Sequence, residues 1–146
     1  MARIRKGRLA SGESNMGNLV HEELSRSIIG AAMTVLNELK PGLDEKLYER
    51  ALVIELLSCG HHVESQKQFE VYYRGQMIGV LIPDLIVDGL VIVDPKVVTG
   101  FHDTHLAQML GYLTITQLQL ALLLNFKYSQ LQWKRIVREQ SIEPPD

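Results

Sequence analysis

The sequence predicts an α/β protein, in the α+β sense, with one mixed four-stranded sheet flanked by helices. Three observations predict it. The first third of the chain repeats apolar residues at steps of three and four, the period of a helix. The middle then switches to alternation, the period of a strand. Near the end, "LQLALLLNF" is apolar on both faces, as a central strand must be.

The elements follow in order. From about 18 to 39, Val20, Leu24, Ile28, Ala31, Val35 and Leu39 mark one helical face. "KPG" stops this helix, because proline disfavours helix in the residue before it. A second helix is expected from 44 to 59, with Leu47, Ala51 and Ile54 as its apolar stripe and Gly60 as its stop. Val63, Phe69, Val71 and Tyr73 then alternate with polar neighbours, a first strand. Lys67 shares their parity, which either aims it inward or leaves it at the start of the strand. "RGQ" turns the chain into a second strand over 77–87. "DG" turns it into a third over 90–98. A third helix over 103–116 precedes the central "LQLALLLNF" strand. The segment "SQLQWKRIVREQ" reads as a short helix or an edge strand.

Composition narrows the class. With 146 residues, 46% of them hydrophobic, the chain can bury a core as one domain. Its formal charge of −2 gives no global attraction to polyanions, so any such site must be local. Cys59 is the single cysteine, which rules out an internal disulfide and fits a reducing compartment. No apolar run reaches the roughly 20 residues of a membrane span. "MARIRKGRLASGESN" carries basic residues with no apolar stretch behind them, so the expected setting is cytoplasmic and without a membrane.

The stretch "VLIPDLIVDGLVIVDPKVV", residues 80–98, carries the chemistry. It is apolar enough to be buried, yet it holds Asp84, Asp88, Asp94 and Lys96. Asp88 belongs to the "DG" turn. Asp94 and Lys96 share one strand face, and Asp84 lies on the neighbouring strand. Carboxylates without water need a partner or a metal, and a divalent cation would relieve both the burial and the mutual repulsion. An Asp–Lys ion pair at a sheet end is the plainer alternative. Register separates the two readings. A two-residue loop puts Asp84 and Asp94 on opposite faces, whereas a three-residue loop or a bulge sets them side by side.

Pro83-Asp84 followed by Asp94-Pro95-Lys96 resembles the core motif of the PD-(D/E)XK nuclease superfamily. "PGLDEKLYERALVIEL", with Gly42, Glu45 and Tyr48 at the named positions, resembles the GxxExxY proteins, a small branch of it. "HLAQMLGYL" with "LLLNF" behind it is similar to the same branch. The resemblance implies a restriction-endonuclease-like αβββαβ core, with a disordered basic tail over 1–16, a nuclease-like domain over 17–140 and a frayed end over 141–146. The tail could also serve as a basic arm on phosphates. The resemblance further implies a metal-dependent nuclease using Mg2+ or Mn2+, held by Glu45, Asp84 and Asp94. It implies Asp84, Asp94, Lys96 and Gln108 as catalytic residues, and a nucleic-acid substrate, DNA in preference to RNA. A homodimer is compatible with it.

The residues carry alternatives of their own. Glu45 sits in a first helical turn, where a carboxylate favours the helix dipole whatever else it does. Glu45 and Tyr48 share a helix face. His105, Gln108 and Tyr112 also share one face, either solvated or touching substrate; with Tyr48 they are the candidate substrate contacts. His102 and His105 lack a third soft ligand, which disfavours zinc. The core motif departs from the usual pattern in two ways: aspartate stands for glutamate, and Pro95 removes a backbone donor from a central strand. That substitution is expected to delete a ladder hydrogen bond or bulge the strand. It leaves a second function open, a catalytically impaired nuclease-fold module that binds or interacts.

Overall fold

The computed structural model describes residues 19–139. The basic tail expected over 1–16 and the frayed end expected over 141–146 lie outside the described residues. Three helices are formed, α1 (Glu22–Leu39), α2 (Glu45–Ser58) and α3 (Asp103–Thr116). The strands are β1 (Val63–Ser65), β2 (Phe69–Tyr73), β3 (Gln76–Leu81), β4 (Leu85–Val87), β5 (Val91–Lys96), β6 (Leu120–Asn125) and β7 (Gln132–Val137).

Helix α1 buries Ile28, Ala31, Ala32, Val35 and Leu36, close to the face its spacing predicts. It ends at Lys40, held at positive φ just before Pro41. Helix α2 turns a different side inward from the one expected. Its buried residues are Tyr48, Glu49, Leu52 and Leu56, while Leu47 and Ile54 are 45% and 70% exposed. A helix whose apolar and charged residues are spread round all its sides has no face fixed by its own pattern. Packing decides instead: the Tyr48 ring stacks on Phe126 with centroids 4.9 Å apart, and that contact fixes the rotation.

The main sheet has five strands in the order β1-β4-β5-β6-β7, not four. The fifth is β7, so "QWKRIV" is an edge strand, antiparallel to β6. Strands β5 and β6 are parallel and the remaining pairs antiparallel. Two expected strands, 63–73 and 77–87, each break into a pair. Gln66 takes a positive φ of 60°, and Pro83 has no amide to offer a ladder. Residues 66–68 and 82–84 intervene equally on the two sides, so β1–β4 and β2–β3 keep one register across the break. The β2–β3 part leaves the sheet as a separate two-stranded arm.

Helices α1 and α2 cover one sheet face, over Val87, Val93, Leu122 and Leu124. Helix α3 covers the other, where Met109 and Leu113 meet Ile86, Ile92 and Leu123. Strand alternation puts Asp94 and Lys96 on the α3 side, with Ile92. Pro95 neither bulges nor ends β5. Pairing with β6 runs without a shift through Asp94↔Leu123, Pro95↔Leu124 and Lys96↔Asn125. The Lys96 carbonyl accepts from the Phe126 amide at 2.8 Å, so residue 96 bonds toward β6 and residue 95 faces the other way. On that side β4 has already ended, since its last pair is Leu85↔Val93. The missing proline donor therefore faces a place with no ladder to lose, and the expected defect does not arise.

Candidate active site

Asp84 and Asp94 meet because of the turn between their strands. Asp88, Gly89 and Leu90 form a three-residue loop, with φ of 54° at Asp88 and 68° at Gly89. Glycine takes such a φ freely. The register Val87↔Val91, Ile86↔Ile92, Leu85↔Val93 continues to Asp84 opposite Asp94. Of the two loops that the sequence allows, the fold uses the one that sets the acids side by side. Burial, and then the Asp84 carboxyl beside it, push the Asp94 carboxyl from the ordinary 3.8 up to about 7, against the opposing pull of Lys96. Lys96 Nζ lies 3.3 Å from Asp94 Oδ2, and both side chains are largely buried.

Helix α2 carries two acids toward this end of the sheet, Glu45 and Glu49. Glu45 is exposed in the first turn of the helix. Glu49, one turn deeper, is buried, and its carboxyl is raised first by burial and then by the charge of Asp84. Lys46 Nζ holds it at 3.3 Å. The sequence held a signal for Glu49: it flanks the Tyr48–Leu52–Leu56 stripe, visible once that stripe, and not Leu47–Ala51–Ile54, is taken as the inner face.

Tyr48 lies in the core. Its ring is 0% exposed, and its hydroxyl donates to the Lys40 carbonyl at 2.5 Å and accepts from the Leu43 amide at 3.1 Å. It locks the α1–α2 loop. The α3 residues do face the acids. The Tyr112 hydroxyl is raised by burial and by the charges of Asp94 and Asp84. Gln108 Nε2 donates to that hydroxyl at 3.3 Å. The His105 ring is lowered by burial and by Lys96, and its Nδ1 accepts from the His102 amide at 3.0 Å. Lys67 does not turn inward: it is exposed and paired with Glu64 at 3.4 Å.

Asn125 has a role that sequence reasoning missed. Fully buried, its Oδ1 accepts from the Val98 amide at 3.1 Å, and its Nδ2 donates to the Val98 carbonyl at 2.8 Å. It thereby fixes the chain two residues beyond Lys96. A lone polar residue closing an apolar run was the available signal.

The donors fit a hard divalent cation. They are carboxylate oxygens, with Asp94 in a setting that disfavours a bare charge. Among the described residues, however, no group of three His, Cys, Asp or Glu side chains is close enough to hold a metal ion.

A mixed five-stranded sheet between helices, with paired acids and a lysine on adjacent strands, defines a protein of the restriction-endonuclease-like class. Residues 22–136 match the family model of the PD-(D/E)XK nuclease superfamily, and the chain belongs to that superfamily. Comparison with curated proteins and with solved structures gives no match. PD-(D/E)XK nucleases generally use divalent metals and act on nucleic acid.

Proposed function

We propose that this protein is a divalent-metal-dependent nuclease that hydrolyses phosphodiester bonds, DNA in preference to RNA, and that it belongs to the GxxExxY branch. One observation carries the reading: the Asp84 and Asp94 carboxyls share a buried site within reach of Lys96. Asp84 and Asp94 would hold Mg2+ or Mn2+, with Glu49 as the third acid in place of Glu45. A bound cation there supplies Lewis acidity and lowers the pKa of water. The Lys96 ammonium lies beside Asp94, where it stabilises negative charge developing on a phosphate and orients the attacking water. Gln108 and Tyr112, linked to each other, present an amide and a hydroxyl for phosphate or water. His105, disfavoured as a cation first by burial and then by Lys96, adds a hydrogen-bonding contact.

The spacing of Gly42, Glu45 and Tyr48 supports the branch assignment, with Tyr48 serving the fold and not the substrate. A second reading, a nuclease fold that binds without turnover, is favoured by the lack of a three-ligand cluster among the described residues. Two measurements separate them. Thermal melting with and without Mn2+ should raise the midpoint of the wild type and not that of Asp84→Ala, because a ligand stabilises only the state that binds it. Nuclease assays should show Mn2+-dependent cleavage that Lys96→Ala loses while keeping the melting shift. A melting shift in the wild type with no cleavage supports the second reading, and no shift at all removes the metal site.

A further inference from the structure

Among the described residues, little covers the arm formed by β2 and β3. Tyr72, Tyr73, Met77, Ile78 and Val80 are 57%, 61%, 54%, 66% and 48% exposed. Among the described residues, the backbone of neither strand hydrogen-bonds to an element outside the arm. A two-stranded hairpin alone is marginal in water, and open edges bearing large apolar groups pair with another strand unless something blocks them. The two edges are not equivalent. Strand β3 is interrupted: pairing passes from Val71↔Gly79 to Tyr72↔Met77, leaving Ile78 as a bulge that breaks its outer row. Strand β2 is regular from Phe69 to Tyr73.

The sequence of that edge is complementary to itself. In "EVYYR", Glu70 and Arg74 stand equally far on either side of Tyr72. The Tyr72 hydroxyl donates to Glu70 Oε1 at 2.8 Å, and the Arg74 guanidinium lies 5.4 Å from the Tyr73 ring centre. We propose that β2 is a homodimer interface. Two copies pair β2 with β2, antiparallel, about a two-fold axis at Tyr72. Val71 of each copy then pairs with Tyr73 of the other, Arg74 in the turn just beyond the strand, at a φ of 50°, comes within side-chain reach of the other copy's Glu70, and the arms join as one four-stranded sheet. Charge favours this partner over a nucleic acid. Arg74 is the arm's one cation and Glu70 balances it, while Lys67, just before the arm, is paired with Glu64 of β1. Such an arm presents no net positive field to a polyanion. The inference does not depend on the nuclease reading.

The test is the mass of the full chain in solution, by sedimentation equilibrium up to the high micromolar range. The expected particle is twice the 16.5 kDa chain. Glu70→Arg and Arg74→Glu should each weaken the dimer by about tenfold or more, since each turns two attractive pairs into repulsive ones. The double exchange should restore it. In a Cys59→Ser background, Tyr72→Cys should form an intermolecular disulfide on mild oxidation. Both charged positions are exposed, so melting midpoints should stay near wild type and separate lost pairing from lost folding. A wild type that is monomeric throughout, a dimer indifferent to the single reversals, or a double variant that fails to recover overturns the proposal. So does an Arg74→Glu variant that binds nucleic acid less tightly with its mass unchanged.

Discussion

Tyr48 and Asp94 are both buried, and burial acts on them in opposite ways. The Tyr48 ring gains stacking on Phe126, and both hydrogen-bonding functions of its hydroxyl are met by backbone. Tyr48→Phe should therefore cost about 1–3 kcal/mol, the penalty for leaving buried backbone groups unpaired. Denaturant melts would measure it, and any cleavage activity per folded molecule should be unchanged. Asp94 is instead made costly as a carboxylate. Its pKa is raised in the fold, so its contribution to stability is full below about pH 3.8 and is lost as pH rises through about 7. The metal-free protein should lose thermal stability across that window, and Asp94→Asn should flatten the profile. Added Mn2+ should do the same in the wild type from the alkaline side, because the cation takes the place of the proton. That Asp94 and Lys96 share a strand face was legible from parity alone, while their part in a site came from the resemblance of the motif. Glu49 was not legible, because telling Glu45 from Glu49 requires the rotation of α2, and a helix with apolar and charged residues on all sides does not encode it.

At the scale of elements, β5 shows how a local rule depends on its neighbours. Proline is unwelcome in a central strand because it removes a ladder donor. Here the donor would face the open end beyond β4, so nothing is lost. Pro95→Ala should change stability by less than about 1 kcal/mol and leave Mn2+ affinity unaltered, as melting and titration would show. A large stabilisation would mean that the strand is strained at this point after all. The β4–β5 turn is pinned in a comparable way. Ser27 Oγ lies 2.7 Å from His61 Nε2, and His61 Nδ1 lies 2.8 Å from Asp88 Oδ2. The chain of groups has the order of a hydrolase triad, but the amides of Cys59, Gly60, His61 and His62 are all committed elsewhere, leaving none of them to bind an oxyanion. Its effect is to tie α1 to the turn that sets the register. Burial pushes the Asp88 carboxyl up, but its bonds to the His62 amide and the His61 ring prevail and hold it below its usual range. The "DG" pair announced this turn in the sequence; the His61 clasp, which joins residues far apart in the chain, could not be read there.

For the whole molecule, charge limits how nucleic acid can be held. Fifteen basic and seventeen acidic residues give −2, so binding must rest on a few local phosphate contacts. The affinity for duplex DNA should fall with salt at a slope no steeper than about −3 on a log–log plot, measured in Ca2+ so that binding is seen without turnover. A steep slope, like that of a protein wrapping DNA, would point to a wider basic surface. Among the described residues no helix is long and apolar enough to cross a membrane, in line with the absence of a long apolar run in the sequence.

Periodicity by itself determined the helix and strand content and the carboxylate-rich hairpin, because residue spacing maps directly onto the faces of local elements. The third helix was placed at 103–116, where it is found. Only tertiary structure decided which face of α2 is inner, where the long hairpin breaks into sheet and arm, that the last segment is a fifth strand, and which glutamate approaches Asp84. Each depends on contacts between segments distant in the chain, and those contacts override weak local preferences when a core closes.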